Sequence, residues 1–112
     1  MRIGFLFLGL LLVAQTVNAQ TKGESTYKAK CMNCHGADGS GKGHSGMKIT
    51  PADLRSDEVQ KKTDEELYES IAFGKGHKDY AHAFAERGLG TKQIAEVVTY
   101  IRGFSKKPKT DK

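Results

Sequence analysis

Cys31, Cys34 and His35, within the run Cys31-Met32-Asn33-Cys34-His35, are the residues of this chain whose types and spacing point most directly to chemistry. On a tight helical turn, two thiols separated by two residues can both reach one porphyrin and add across its two vinyl groups. The histidine that follows is held beneath the ring, where its imidazole can bind iron. C-x-x-C-H is the attachment signature of a c-type haem, and it uses both cysteines of the chain. Three other uses of the pair compete. A zinc site would need a second ligand pair, and no further cysteine exists. A thiol–disulfide motif belongs in a βαβ context, and the chain shows no strand pattern. Two plainly buried thiols are the third alternative, outweighed by the context in which the motif sits. One haem c, attached through Cys31 and Cys34 with His35 as proximal iron ligand, is therefore expected.

The elements that must position this motif read as helical. Gly23 to Met32 is predicted as a short first helix leading into it, with Tyr27 facing inward. Glycines at 36, 39, 41, 43 and 46 make a loop able to pass close to a flat ligand. Residues 48–54, with Pro51, read as extended, and a carbonyl of this stretch is expected to accept the Nδ1–H of His35 and fix its tautomer. Thr63 and Glu66 form a capping box for a helix carrying Leu67 and Ile71, which Gly74 and Gly76 end near Phe73. A last helix, capped by Thr91, carries the stripe Ile94, Val97, Val98 and Ile101, with Tyr100 beside it and Gly103 at its end. The fold class is all-α, with the terminal helices available to pack together.

Residues 1–19 have the pattern of a signal peptide: Arg2, an apolar run from Ile3 to Ala14, and Val17-Asn18-Ala19 before a cleavage point at Gln20. The run is shorter than the ~20 residues that span a bilayer, so no stable membrane insertion is expected after cleavage. Residues 20–105 would form one domain and 106–112 a polar basic tail. So small a domain buries a thin core, and a haem would supply much of its apolar packing surface. The chain carries 18 basic and 13 acidic residues, a net charge of +5, which falls to about +4 once Arg2 leaves with the leader. The charges are mixed along the sequence; a basic face steering an acidic redox partner is one use of them, and a solvated surface is another. No dense basic helix or aromatic stacking pattern supports nucleic-acid binding.

With these pieces together, residues 22–105 resemble a small monohaem class I cytochrome c. Cys31 to Gly36 and Asp38-Gly39-Ser40-Gly41 match the family's haem segment. Gly23, Tyr27 and Tyr100 match its contact between terminal helices, and Leu89 to Gly103 its final helix. The resemblance implies three to five short helices around one covalent haem with an exposed edge, and single-electron transfer without bond making at iron. The departure is at the sixth ligand, which the family takes from a methionine before the last helix. This chain has no methionine there. It offers Gly76-His77-Lys78-Asp79-Tyr80-Ala81-His82-Ala83-Phe84 instead. Counted back from Leu89 and Ile94, His82 falls where the family's methionine commonly sits, which makes it the expected distal ligand, with bis-histidine iron. His77, Met47, His44, a lysine or an open site stay as alternatives.

The expectation is an exported, periplasmic or otherwise extracytoplasmic, electron carrier working between a donor and an acceptor protein, and not an enzyme. Asp64, Glu65, Glu66 and Glu69 share one helix and read as capping and solvation. The alternative is a haem-based gas sensor or peroxidase-like enzyme with an open sixth site, in which His82 would act as a distal base. A redox subunit of a larger complex is a third class.

Overall fold

A computed structural model describes residues 17–76 and 82–106 of the chain. The apolar run of the leader, His77 and residues 107–112 lie outside the described residues. Within them the fold is all-α, with no strand: α1 (Val17–Lys30), α2 (Met32–His35), α3 (Asp57–Gln60), α4 (Asp64–Phe73), α5 (Thr91–Arg102) and a 3₁₀ turn, Gly103–Lys106.

Helix α1 begins before the expected start at Gly23 and gives way at Cys31, whose backbone (φ −120°, ψ −35°) leaves the helical line before α2 resumes it. Gly23 is thus no boundary. It lies mid-helix, facing α5, where a β-carbon would meet the backbone carbonyl of Glu96 and come within 3.1 Å of Tyr100 Cβ. The absent side chain lets the two terminal helices touch. Beside it Tyr27 is wholly buried, its ring centre 5.2 Å from that of Tyr100 and 5.3 Å from that of Phe104. Such tilted and edge-on aromatic pairs gain energy beyond the area they bury.

Helix α4 opens on the expected capping box: Thr63 Oγ1 accepts from Glu66 N–H (3.1 Å) and Glu66 Oε2 accepts from Thr63 N–H (2.8 Å). It closes at Gly74 in the left-handed conformation, φ 72°. In α5 the stripe Ile94, Val97, Val98 and Ile101 is buried as predicted. The N-cap is Gly90 rather than Thr91. Gln93 Oε1 takes the Gly90 N–H at 2.9 Å, so the helix starts one residue earlier and Thr91 is its first full member.

Leu54, Val59, Leu67 and Phe104 join Tyr27 and the α5 stripe in one core. A polar clasp closes its edge. The Gln60 side-chain amide donates to the Leu54 and Ile101 carbonyls, and the Arg102 guanidinium donates to the carbonyls of Gln60 and Lys62 and to Asp64 Oδ1.

Candidate functional site

The motif turn is built by α1 and α2 together. Cys34 and His35 N–H groups both donate to the Cys31 carbonyl (3.2 and 2.9 Å), and Gly36 N–H to that of Met32 (2.8 Å). The buried Tyr27 hydroxyl donates to the Gly36 carbonyl, tying the end of the turn back to α1. The glycine loop folds over it: Gly41 N–H donates to His35 O (2.8 Å) and Gly43 N–H to Cys34 O (3.1 Å). Gly41 (φ 85°) could carry no side chain, since a β-carbon would lie 2.6 Å from the Pro51 carbonyl.

His35 is buried, and its Nδ1 lies 3.1 Å from the Ala52 carbonyl. A carbonyl can only accept, so Nδ1 carries the proton and Nε2 keeps its lone pair for a metal. The accepting carbonyl sits in the extended stretch 48–54, as the sequence led us to expect.

Cys31 and Cys34 are half-buried and not joined as a disulfide. Burial first, then the neighbouring Cys34, pushes the Cys31 thiol up to about 12. A redox-active C-x-x-C lowers its thiol to form a thiolate near neutral pH; this environment does the reverse. Among the described residues no group of three or more His, Cys, Asp or Glu side chains is placed to hold a metal, which leaves the zinc alternative without ligands there.

Across from His35, His82 presents its imidazole with ring centres 6.0 Å apart and planes at 32°. The segment after it is pinned to the end of α4: Phe84 N–H donates to Ile71 O and Ala85 N–H to Ala72 O, both at 3.1 Å. Phe84 is buried, stacks on His82 at 5.7 Å, and carries the Arg87 guanidinium over its face, also at 5.7 Å. A cavity of about 600 Å³ is lined by Cys31, Cys34, His35 and His82, and Lys30 and Arg87 also line it. A smaller, almost wholly apolar cavity of about 110 Å³ lies behind, again touching Cys31, His35, His82 and Phe84. Of the other candidates, His44 and Met47 lie away from the cavity, and His77 falls outside the described residues. His44 is exposed, with Nδ1 donating to Ser45 O at 3.0 Å. Met47 is half-buried and lines neither cavity.

The donor set fits a porphyrin. Both thiols and His35 edge the larger cavity, whose volume is in the ~300–1,000 Å³ range of cofactor sites. Two imidazoles flanking one metal, each with a nitrogen about 2 Å from it, have ring centres about 6 Å apart, which is the separation of His35 and His82.

A family model described as cytochrome C oxidase, cbb3-type, subunit III matches residues 18–101. The chain belongs to this family of c-type cytochromes. A search of curated proteins found no match. The cytochrome is accordingly a small class I domain, and its cofactor is one haem c attached through Cys31 and Cys34. Its family's work is electron transfer, and no described helix is long and apolar enough to cross a membrane.

The carboxylates of α4, read from the sequence as capping and solvation, divide between a cap and ion pairs in this cytochrome. Glu66 caps, Asp64 pairs with Arg102 and Glu69 with Lys75. Sequence reasoning missed Arg87 and Lys30 at the cavity. The one available signal was position: Lys30 directly precedes the C-x-x-C-H run, and Arg87 follows His82 by five residues.

Proposed function

We propose that this cytochrome carries single electrons between two proteins, with His35 and His82 as the two axial ligands of its iron. The observation that carries the reading is the 6.0 Å approach of the two imidazoles across a cavity edged by both attachment cysteines. When bound, the haem supplies a one-electron couple at its iron. The chain's residues determine how that couple behaves. Ala52 O fixes the His35 tautomer and strengthens it as a donor. A second imidazole favours ferric iron more than a methionine sulfur does, so His82 holds the potential below that of a histidine–methionine site. Buried Phe84 and the apolar rear cavity exclude water from the His82 side.

Lys30 and Arg87 are exposed at the cavity, and among the described residues no acidic side chain lines it. That arrangement suits partners with acidic docking surfaces. Residues 1–19 serve as the export leader, and the mature domain works in the periplasm or an equivalent compartment.

A redox titration of His82→Met against wild type tests the ligand reading. The expected result is a substantially raised midpoint in the variant; an unchanged midpoint would overturn it. The family's description as an oxidase subunit favours a second reading, a redox subunit that acts inside a larger complex. Stoichiometric copurification of the native protein with integral partners supports that reading, and recovery of the native protein alone opposes it.

A further inference from the structure

Ala83 has a left-handed backbone, φ 44°, and among the described residues it is the one non-glycine residue that does. A β-carbon crowds the following carbonyl in this conformation, and the conformation persists where the surroundings over-determine it. The surroundings here are concrete. Phe84 and Ala85 are each hydrogen-bonded to the last turn of α4, and Phe84 is buried. The chain is therefore fixed immediately after Ala83, while immediately before it His82 must face His35. Left-handed Ala83 is the junction between these two positions. A residue unable to take a left-handed backbone leaves Phe84 in place and sends His82 elsewhere. Glycine and asparagine take this conformation readily; β-branched residues do not.

We propose that Ala83 is the positioning residue for His82: its left-handed backbone, held by α4, keeps the imidazole opposite His35. Losing that conformation opens the His82 face of the cavity to a small uncharged ligand such as carbon monoxide. This inference rests on His82 being the second axial ligand, and it adds the feature of the fold that keeps it there.

The test compares the haem-loaded wild type with Ala83→Val, Ala83→Asn, Ala85→Val and His82→Ala. Each is read by its ferric optical spectrum and by the rate at which the reduced protein binds carbon monoxide. Ala83→Val is expected to show a high-spin ferric fraction and at least tenfold faster binding than wild type. Ala83→Asn, similar in size but tolerant of the backbone, is expected to stay low-spin and resistant, as is Ala85→Val on the exposed neighbouring position. If Ala83→Val fails to load haem, Ala83→Thr makes the same comparison. A His82→Ala protein indistinguishable from wild type would overturn the ligand reading and this inference with it. An opened His82→Ala beside a closed Ala83→Val would overturn the role of Ala83 alone. So would equal opening by Ala83→Asn or Ala85→Val, since size or general disturbance would then explain the effect.

Discussion

The Tyr27 hydroxyl, buried among Tyr100 and Phe104, donates to the carbonyl of Gly36, one residue beyond His35. One side chain thus joins the contact between the terminal helices to the end of the haem-binding turn. Tyr27→Phe leaves that buried carbonyl without its donor, at a cost of about 1–3 kcal/mol, to be read as a lower midpoint in denaturant unfolding of the holoprotein.

The same residue sets an alkaline limit. Burial is the main cause that raises the Tyr27 phenol well above its ordinary value, with Coulombic contributions from Tyr100 and Asp38. Above the unfolded value of about 10 the folded state holds this proton while the unfolded chain gives it up. Its contribution is complete below about pH 10 and is lost as pH climbs from there toward the raised value. Stability measured between pH 9 and 11 should fall at the upper end in wild type and fall less steeply in Tyr27→Phe.

Gly23→Ala sets two effects against each other. Alanine favours a helix over glycine by about 1 kcal/mol. The new β-carbon, however, collides with the Glu96 backbone, which cannot swing aside as a side-chain tip can. Overpacking of this kind costs about 1–3 kcal/mol, so the variant should be net destabilised. Thermal unfolding monitored by circular dichroism reads the difference, and a raised melting temperature would show that α1 and α5 do not approach as described.

Lys30 and Arg87 give the cavity a positive rim. Lys30→Glu combined with Arg87→Gln should slow oxidation of the reduced protein by an anionic reagent such as ferricyanide several-fold at low salt. The gap should close as added salt shortens the screening length to a few ångströms. Stopped-flow rates across an ionic-strength series provide the check. Identical slopes for variant and wild type would place the reaction elsewhere on the surface.

Local patterns were legible in the sequence. The C-x-x-C-H run, the Thr63–Glu66 box and the Ile94–Ile101 stripe depend on neighbours a turn apart. Even the carbonyl partner of His35 could be narrowed to one stretch, because Pro51 kept that stretch extended. What escaped notice depends on long-range packing. Gly23 opened the predicted helix, and its contact with the last helix came from the family resemblance alone; the close Glu96 backbone supplies the physical reason. Phe104 is almost fully buried in a turn after the last stripe residue, where no periodicity points to it; its partners are Tyr27 and Gly39. Helix α3 is a single turn capped by Ser56, too short to leave a pattern. Arg55 is buried because Asp53 grips its guanidinium through both carboxylate oxygens at 2.9 Å, a pairing the intervening residue disguises. The left-handed Ala83 has no sequence signature, since alanine is an unremarkable residue wherever it falls.

The central claim, that His82 completes the iron's coordination opposite His35, is tested most directly by the ferric optical spectrum of the purified holoprotein beside that of His82→Ala. The account predicts a low-spin wild-type spectrum without the iron–methionine charge-transfer band, and a high-spin spectrum in the variant. A methionine band in wild type, or a low-spin spectrum untouched by the loss of His82, would contradict it.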